Sequence, residues 1–416
     1  MRKALLAFAL LAAPAQAQDT GLPSKSDVLA ALAVTPSVEA ALSRTDAARA
    51  EAEGLASGPH EFTLTSSYLS RTVNDSAGVG NGRFDEFEAQ ITRPVRLPGK
   101  AALDRKIGQQ GVVYAENMAG DSIHQAALRL AQGWWTWLSA AQLAAVDRQA
   151  VENYSALLAS VKRRVALRDA SALEEAQASA ALDMARAQAE ASQGREKVAQ
   201  VRLAAQFPKL PLPATVPPVP VPELPAGGLE SLRERILGRS HEIAAAIALS
   251  QQAEAQAERA AKEKQGDPAF GLKVFSEKGG MEKGAGVVFS IPFGGGYRTA
   301  MADRASAQAS AAQADLRAVR RDIEETADTD LAEAKSALSA WRLTRAALDA
   351  QMSALQKVRR GQQLGELGLA EVLLAERMMH EAFRAEAGAR TQALQAITRI
   401  RIDAHELWIG DQADTQ

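Results

Sequence analysis

Two short signatures recur in this 416-residue chain at nearly the same separation. Ile91-Thr92-Arg93-Pro94-Val95-Arg96-Leu97-Pro98-Gly99-Lys100 resembles Phe289-Ser290-Ile291-Pro292-Phe293-Gly294-Gly295-Gly296-Tyr297-Arg298, with Pro94 and Pro292 198 residues apart. Leu167-Arg168-Asp169-Ala170-Ser171-Ala172-Leu173-Glu174 parallels Leu364-Gly365-Glu366-Leu367-Gly368-Leu369-Ala370-Glu371 at a separation of 197. Each match alone is weak. Their shared spacing predicts a tandem duplication, so the fold must be built from one repeated unit.

Each half reads as helix, strand, strand, very long helix, turn, helix. In the first half, Val38–Gly54 is expected to be helical, with strands over about 62–71 and 84–95 and a polar loop over Thr72–Arg83. In the second half, strands are expected over about 269–277 and 285–293. Phe270, Leu272 and Val274 alternate along one strand, and Val287, Phe289 and Ile291 along the next. Strands of roughly 9–11 residues with a period of two suit a tilted membrane strand.

Residues 99–167 and 297–364 contain no proline and carry a helical period. The seams are Ile123, Ala127, Leu130, Trp134, Trp137 and Ala141 in the first, and Leu331, Ala334, Leu338, Trp341, Leu348, Met352 and Leu355 in the second, with Arg345 interrupting. At about 1.5 Å per residue such helices run on the order of 100 Å. A compact domain has no use for that length.

Composition narrows the function classes. There is no cysteine, which excludes disulfides, thiolate metal sites, a cysteine nucleophile and a lipidated N-terminal cysteine. A net charge of −2 leaves no nucleic-acid footprint. Arg2 and Lys3, the apolar run Ala4–Ala13 and the Ala15-Gln16-Ala17 site read as a signal peptide over 1–17, with the mature chain starting at Gln18. No later window is apolar enough for a membrane helix. A membrane-spanning mature protein must therefore use a closed β-barrel. Four strands per chain cannot close one, because about eight is the practical minimum. A symmetric ring is the simple solution, and three copies would supply twelve strands.

The expected organisation is a first repeat over 18–206 with its helical hairpin at about 99–205, a connector over 207–228 and a second repeat over 229–410. The second hairpin is expected at about 297–409, and a tail at 411–416. Eight prolines between Pro208 and Pro225 make the connector extended rather than helical.

With these features in place, the sequence resembles the TolC-like outer-membrane efflux factor family over essentially the whole mature chain. The resemblance rests on the strand-end, Pro/Gly and helix signatures at Arg93–Lys100 and Ser290–Arg298. It rests also on Gly365-Glu366-Leu367-Gly368-Leu369-Ala370-Glu371-Val372-Leu373-Leu374-Ala375, near the family's second hairpin tip. Leu97-Pro98-Gly99-Lys100 is similar to the branch serving heavy-metal and other cation exporters.

The resemblance implies a mainly α protein with a membrane β-barrel: a homotrimer whose 12-strand barrel continues into an α-helical coiled-coil tunnel across the periplasm. It implies a Gram-negative outer-membrane location, and partners in a periplasmic adaptor, an inner-membrane transporter and outer-membrane lipid. Conduction would be passive, with no enzyme activity and no cofactor. Other readings are the duct of a type I secretion system, a periplasmic adaptor, and a coiled-coil envelope protein.

The expected adaptor-docking tips are Arg168, Asp169, Ala170 and Ser171 in the first hairpin, and Leu364, Gly365, Glu366, Leu367 and Gly368 in the second. Leu364, Leu367 and Leu369 would offer apolar contacts there. Arg168 departs from the pattern set by Gly365. The strand-to-helix junctions are Pro94, Pro98 and Gly99, and Pro292, Gly294, Gly295 and Gly296. The triple glycine lacks the last glycine of a dinucleotide fingerprint, so it reads as a strand-to-helix transition. Trp134, Trp135 and Trp137 read as helix packing. His60, His124, His241, His380 and His405 form no i, i+4 metal pair and read as ordinary solvent or packing residues.

Overall fold

A computed structural model describes residues 21–73 and 82–410. The expected leader, most of the loop expected over Thr72–Arg83 and the C-terminal tail lie outside the described residues. The same order of elements occurs twice: α1 (Lys25–Ala33), α2 (Pro36–Ser57), β1 (Thr63–Val73), β2 (Gly82–Pro94), α3 (Lys100–Ala166) and α4 (Ala172–Gln206), then α5 (Gly228–Arg239), α6 (His241–Glu263), β3 (Ala269–Glu277), β4 (Glu282–Ser290), α7 (Gly296–Gln363) and α8 (Leu369–Asp403). Two helices, not one, precede each strand pair. The first-half helix expected over Val38–Gly54 is α2, which begins earlier and ends later.

The chain forms two compact units. One contains the described residues of Met1–Val38, Ile123–Arg239 and Glu324–Gln416; the other contains Glu39–Ser122 and Ser240–Ile323.

The second unit carries the sheet, an antiparallel meander in the order β1-β2-β3-β4. Register places Leu64 opposite Ile91, Ile91 opposite Leu272 and Leu272 opposite Val287. Directly opposed residues share a face. One face therefore presents Leu64, Tyr68, Phe87, Ile91, Phe270, Leu272, Val274, Val287 and Phe289, all exposed, with Val287 86% accessible. The other face carries charge: Arg71 pairs with Glu86 at 2.6 Å and Lys273 with Glu88 at 2.9 Å. The outer strands β1 and β4 are both open edges. β4 starts three residues before the strand expected at 285–293, because Lys278–Gly280 forms a tight 3₁₀ turn with Gly279 at φ 65°. Ile291 and Phe293 lie beyond the ladder, whose last pair is Ala269 with Ser290. Pro292, without an N–H, cannot extend it.

In the same unit α2 and α3 approach closely through small residues. A Cβ on Gly108 would sit 2.7 Å from the Ala52 Cα. Thr45 Oγ1 donates to the Ala115 carbonyl across the α2–α3 contact at 3.2 Å.

The first unit holds an apolar core built on Trp134, Trp135, Trp137, Leu130 and Leu138 of α3. Trp134 and Trp137 meet edge to face with centroids 5.2 Å apart. Trp135 Nε1 donates to Thr398 Oγ1 at 2.9 Å, and Trp134 Nε1 to the Gly21 carbonyl at 2.8 Å. The tryptophan cluster is thus packing, as its seam position predicts. Phe207, Leu210 and Val219 seat the proline-rich connector on this core. In α7 the expected seam is realised: Ala334, Leu338, Leu348 and Leu355 are buried, and the interrupting Arg345 is exposed.

Candidate functional site

The two hairpin tips share one backbone design. In the first, Leu167 N–H donates to the Arg163 carbonyl at 3.1 Å, Arg168 N–H to Val165 at 2.9 Å and Asp169 N–H to Arg164 at 2.8 Å. In the second, Leu364 donates to Arg360 at 3.1 Å, Gly365 to Gln362 at 3.0 Å and Glu366 to Gly361 at 2.9 Å. These are matching Schellman caps, which satisfy the last carbonyls of α3 and α7. Every partner is displaced by 197 residues, the separation seen in the sequence. The cap needs one residue in the left-handed region. Arg168 supplies it at φ 61° and Gly365 at φ 78°. Glycine does this without steric cost, whereas an L side chain costs about 1 kcal/mol there.

Side chains then make the tips different. Arg164 locks the first, with Nε 3.0 Å from Asp169 Oδ2 and Nη2 3.0 Å from the Asp169 carbonyl. Ser171 begins α4 with a reciprocal capping box to Glu174. In the second tip Gly361 takes the place of Arg164, and Leu367 lies over it; a Cβ there would meet Leu367 Cδ1 at 2.9 Å. Gly368 begins α8 without a side-chain cap. Both hairpins meet just behind their tips, where Val161, Ala178 and Leu369 are buried together against Leu157, Val165 and Leu373. Leu369, expected to offer an apolar contact, is therefore core. Leu367 is half-buried, and the exposed leucines are Leu364 and, in the first tip, Leu167 and Leu173.

The two strand-to-helix junctions, alike in sequence, diverge in structure. After β2, Val95 N–H donates to the Pro268 carbonyl at 2.8 Å and Leu97 N–H to Asp267 Oδ1 at 3.0 Å. The Lys100 ammonium, 1% exposed, lies 2.8 Å from Asp267, 3.0 Å from Glu263 and 2.7 Å from the Gln265 carbonyl. His60 Nε2 approaches the other Asp267 oxygen at 3.4 Å. Arg96 and Arg259 both clasp Asp104, at 3.1 and 2.7 Å, and Arg259 also pairs with Glu263. Burial alone would raise the Asp267 carboxyl. Hydrogen bonds from Lys100, the Leu97 amide and His60 outweigh it and hold the group below its ordinary value. After β4, by contrast, Gly294 at φ 142°, Gly295 and Gly296 have open space around a notional Cβ. Arg298 and Pro292 pack on Gly266 instead.

Three histidines expected to be ordinary solvent or packing residues sit in charge clusters. His60 belongs to the junction. His380 lies 3.0 Å from Asp147, a fully buried carboxylate also held by Arg384, Ser192 and Gln188. His124 Nε2 lies 2.8 Å from Asp403, whose carboxyl neighbours that of Asp330. Arg399 Nε lies 2.9 Å from Asp330 and 3.7 Å from Asp403. His405 stacks on His124, with centroids 5.3 Å apart. Among the described residues, no group of three or more His, Cys, Asp or Glu could hold a metal ion.

The carboxyl pair has a pH consequence. Burial, then the adjacent Asp403 carboxyl, push Asp330 up to about 8, with Glu333 adding and Arg399 opposing. The unfolded chain releases this proton near 3.8, while the folded chain keeps it until about pH 8. Stability therefore falls as pH rises through that window and levels above it. Asp330→Asn keeps the size and shape of the side chain but cannot ionise. Its thermal midpoint should gain on wild type progressively between about pH 5 and 8. A constant difference across that range would refute the assignment.

No protein-family model and no curated protein sequence matches the chain. Solved structures do. CusC, whose structures concern folding and transmembrane channel formation, is 17% identical, with a TM-score of 0.74 over 91% of each chain. The open-state MtrE outer-membrane channel of Neisseria gonorrhoeae is 16% identical, with a TM-score of 0.70 over 93% of this chain and 89% of that one. The outer-membrane protein VceC of Vibrio cholerae is 16% identical, with a TM-score of 0.68 over 92% and 95%. The fold is that of TolC-like outer-membrane channels.

Proposed function

We propose that this protein is the outer-membrane channel component of a tripartite efflux system, passively conducting substrates that an inner-membrane pump delivers through a periplasmic adaptor. The observation that carries this reading is the sheet. One face is apolar and exposed, the other carries ion pairs, and both edges are open. In water such a sheet would aggregate. In a bilayer the same features are what a barrel segment needs: apolar residues toward lipid, polar residues toward a wet lumen, and edges that neighbouring copies complete. Three copies supply twelve strands. The hairpin tips are the surfaces for the adaptor.

The leader expected over 1–17 delivers the chain across the inner membrane, and no lipid anchor is needed. No helix of the described residues is long and apolar enough to cross a membrane. Fractionation tests this. The protein should sediment with outer membranes and stay there through high salt and alkaline carbonate. Release into the soluble periplasmic fraction without detergent would end the barrel reading.

A further inference from the structure

We propose that Arg168 is a recognition residue of the first tip, placed to take a carboxylate from the helical hairpin of the docking partner, and that the second tip has no counterpart of this contact. The inference rests on the reading that the tips dock a partner.

Arg168 and Gly365 occupy the same position of the same hydrogen-bonded turn, both in the left-handed region. Only glycine fits that position without strain, and the second tip uses it. An arginine there works against the turn it closes, so closing the turn is not what its side chain contributes. The residue is exposed, and among the described residues no ion pair or hydrogen bond of its side chain appears.

The turn's own acids are otherwise engaged. Asp169 is held by Arg164, and Glu174 by the capping box with Ser171. The run Lys162, Arg163, Arg164 and Arg168 faces one acid, Asp169, within the same eight residues. A guanidinium at a loop apex with no local partner presents a planar fork that matches a carboxylate in two hydrogen bonds. The second tip offers Leu364, Gly365, Leu367 and Gly368 at the corresponding apex, a surface for apolar packing and close backbone approach. Two tips with one backbone and two chemistries would let a partner carrying two kinds of hairpin contact bind in one orientation.

Stability and function should move in opposite directions, which a structural role would not allow. Arg168→Gly, Arg168→Lys and Arg168→Glu would replace the chromosomal copy in the source bacterium, with export read as the resistance that depends on the wild-type chain. Arg168→Gly should raise the thermal midpoint of the purified protein yet lower resistance at least four-fold. Arg168→Lys should keep part of the resistance. Arg168→Glu should abolish it and be rescued by acid-to-base substitutions at a hairpin of another envelope protein.

Full resistance with Arg168→Gly, or a loss of resistance that tracks a lowered midpoint, would overturn the proposal. So would rescue of Arg168→Glu only from within this chain or from lipid-synthesis genes. Gly365→Trp, run alongside, separates the two levels. If it and the Arg168 variants all export normally, docking through the tips is wrong. If it blocks export while the Arg168 variants do not, only the role of Arg168 is wrong.

Discussion

Gly365→Trp should abolish export and cross-linking to the adaptor while trimer yield and outer-membrane insertion stay at wild-type levels. Gly365 closes the Schellman cap of α7 at φ 78°, and nothing lies within 4 Å of a notional Cβ. A large side chain is therefore accommodated by the tip itself at a local cost of about 1 kcal/mol for the left-handed backbone. The neighbouring core of Val161, Ala178 and Leu369 does not depend on it. What the indole removes is the space through which a partner's backbone would approach. Gly365→Asn is the control, because asparagine tolerates the left-handed region and is small. It should assemble and export. Failure of both variants to assemble would make Gly365 a turn residue only.

Lys100→Met should destabilise the strand-bearing unit by about 3 kcal/mol, the low end for breaking a buried ion pair. The low end is appropriate because Glu263, one of its two carboxylate partners, is 40% exposed and can be rehydrated. Asp267, 14% exposed, cannot. The double variant Lys100→Met with Asp267→Leu should recover most of the loss, because it removes the uncompensated charge rather than exposing it. Acid should distinguish them too. The folded-state value of Asp267 lies below its ordinary 3.8, so its contribution is present above that value and is lost as pH falls through the folded one. Wild type should show this acid loss and the double variant should not. Unfolding midpoints at neutral and acidic pH provide the check; equal midpoints for the single and double variants would contradict the cluster's role.

Local signals in the sequence were enough to locate the strands, the long helices and the tips. Period-two alternation marks β3 at its observed limits, and the heptad-like seam marks the buried stripe of α7. The tips appear as a repeated turn because their caps obey rules that span only six residues. β4 begins and ends earlier than its sequence pattern suggests, because the turn marked by Gly279 and Gly280 closes within Lys278–Gly280 and apolar Ile291 and Phe293 look like strand.

The charge clusters were not legible. Lys100 finds Asp267 at a separation of 167 residues, and His124 finds Asp403 at 279. Neither pair follows a period or a motif, and a histidine or an aspartate on a long helix reads as a solvated residue until its neighbours are known. The divergence of the two junctions was hidden for the same reason. Leu97-Pro98-Gly99-Lys100 and Gly294-Gly295-Gly296 occupy equivalent places in the repeat, but only the first has an acid from the α6–β3 connection beside it.

The proposed channel requires the open-edged sheet to be one part of a closed barrel. Light scattering of the detergent-solubilised protein, corrected for bound detergent, reads this directly. The result expected is a single species of three chains, each of at most 44.1 kDa. A stable monomer that retains its β-sheet signal in detergent would contradict it.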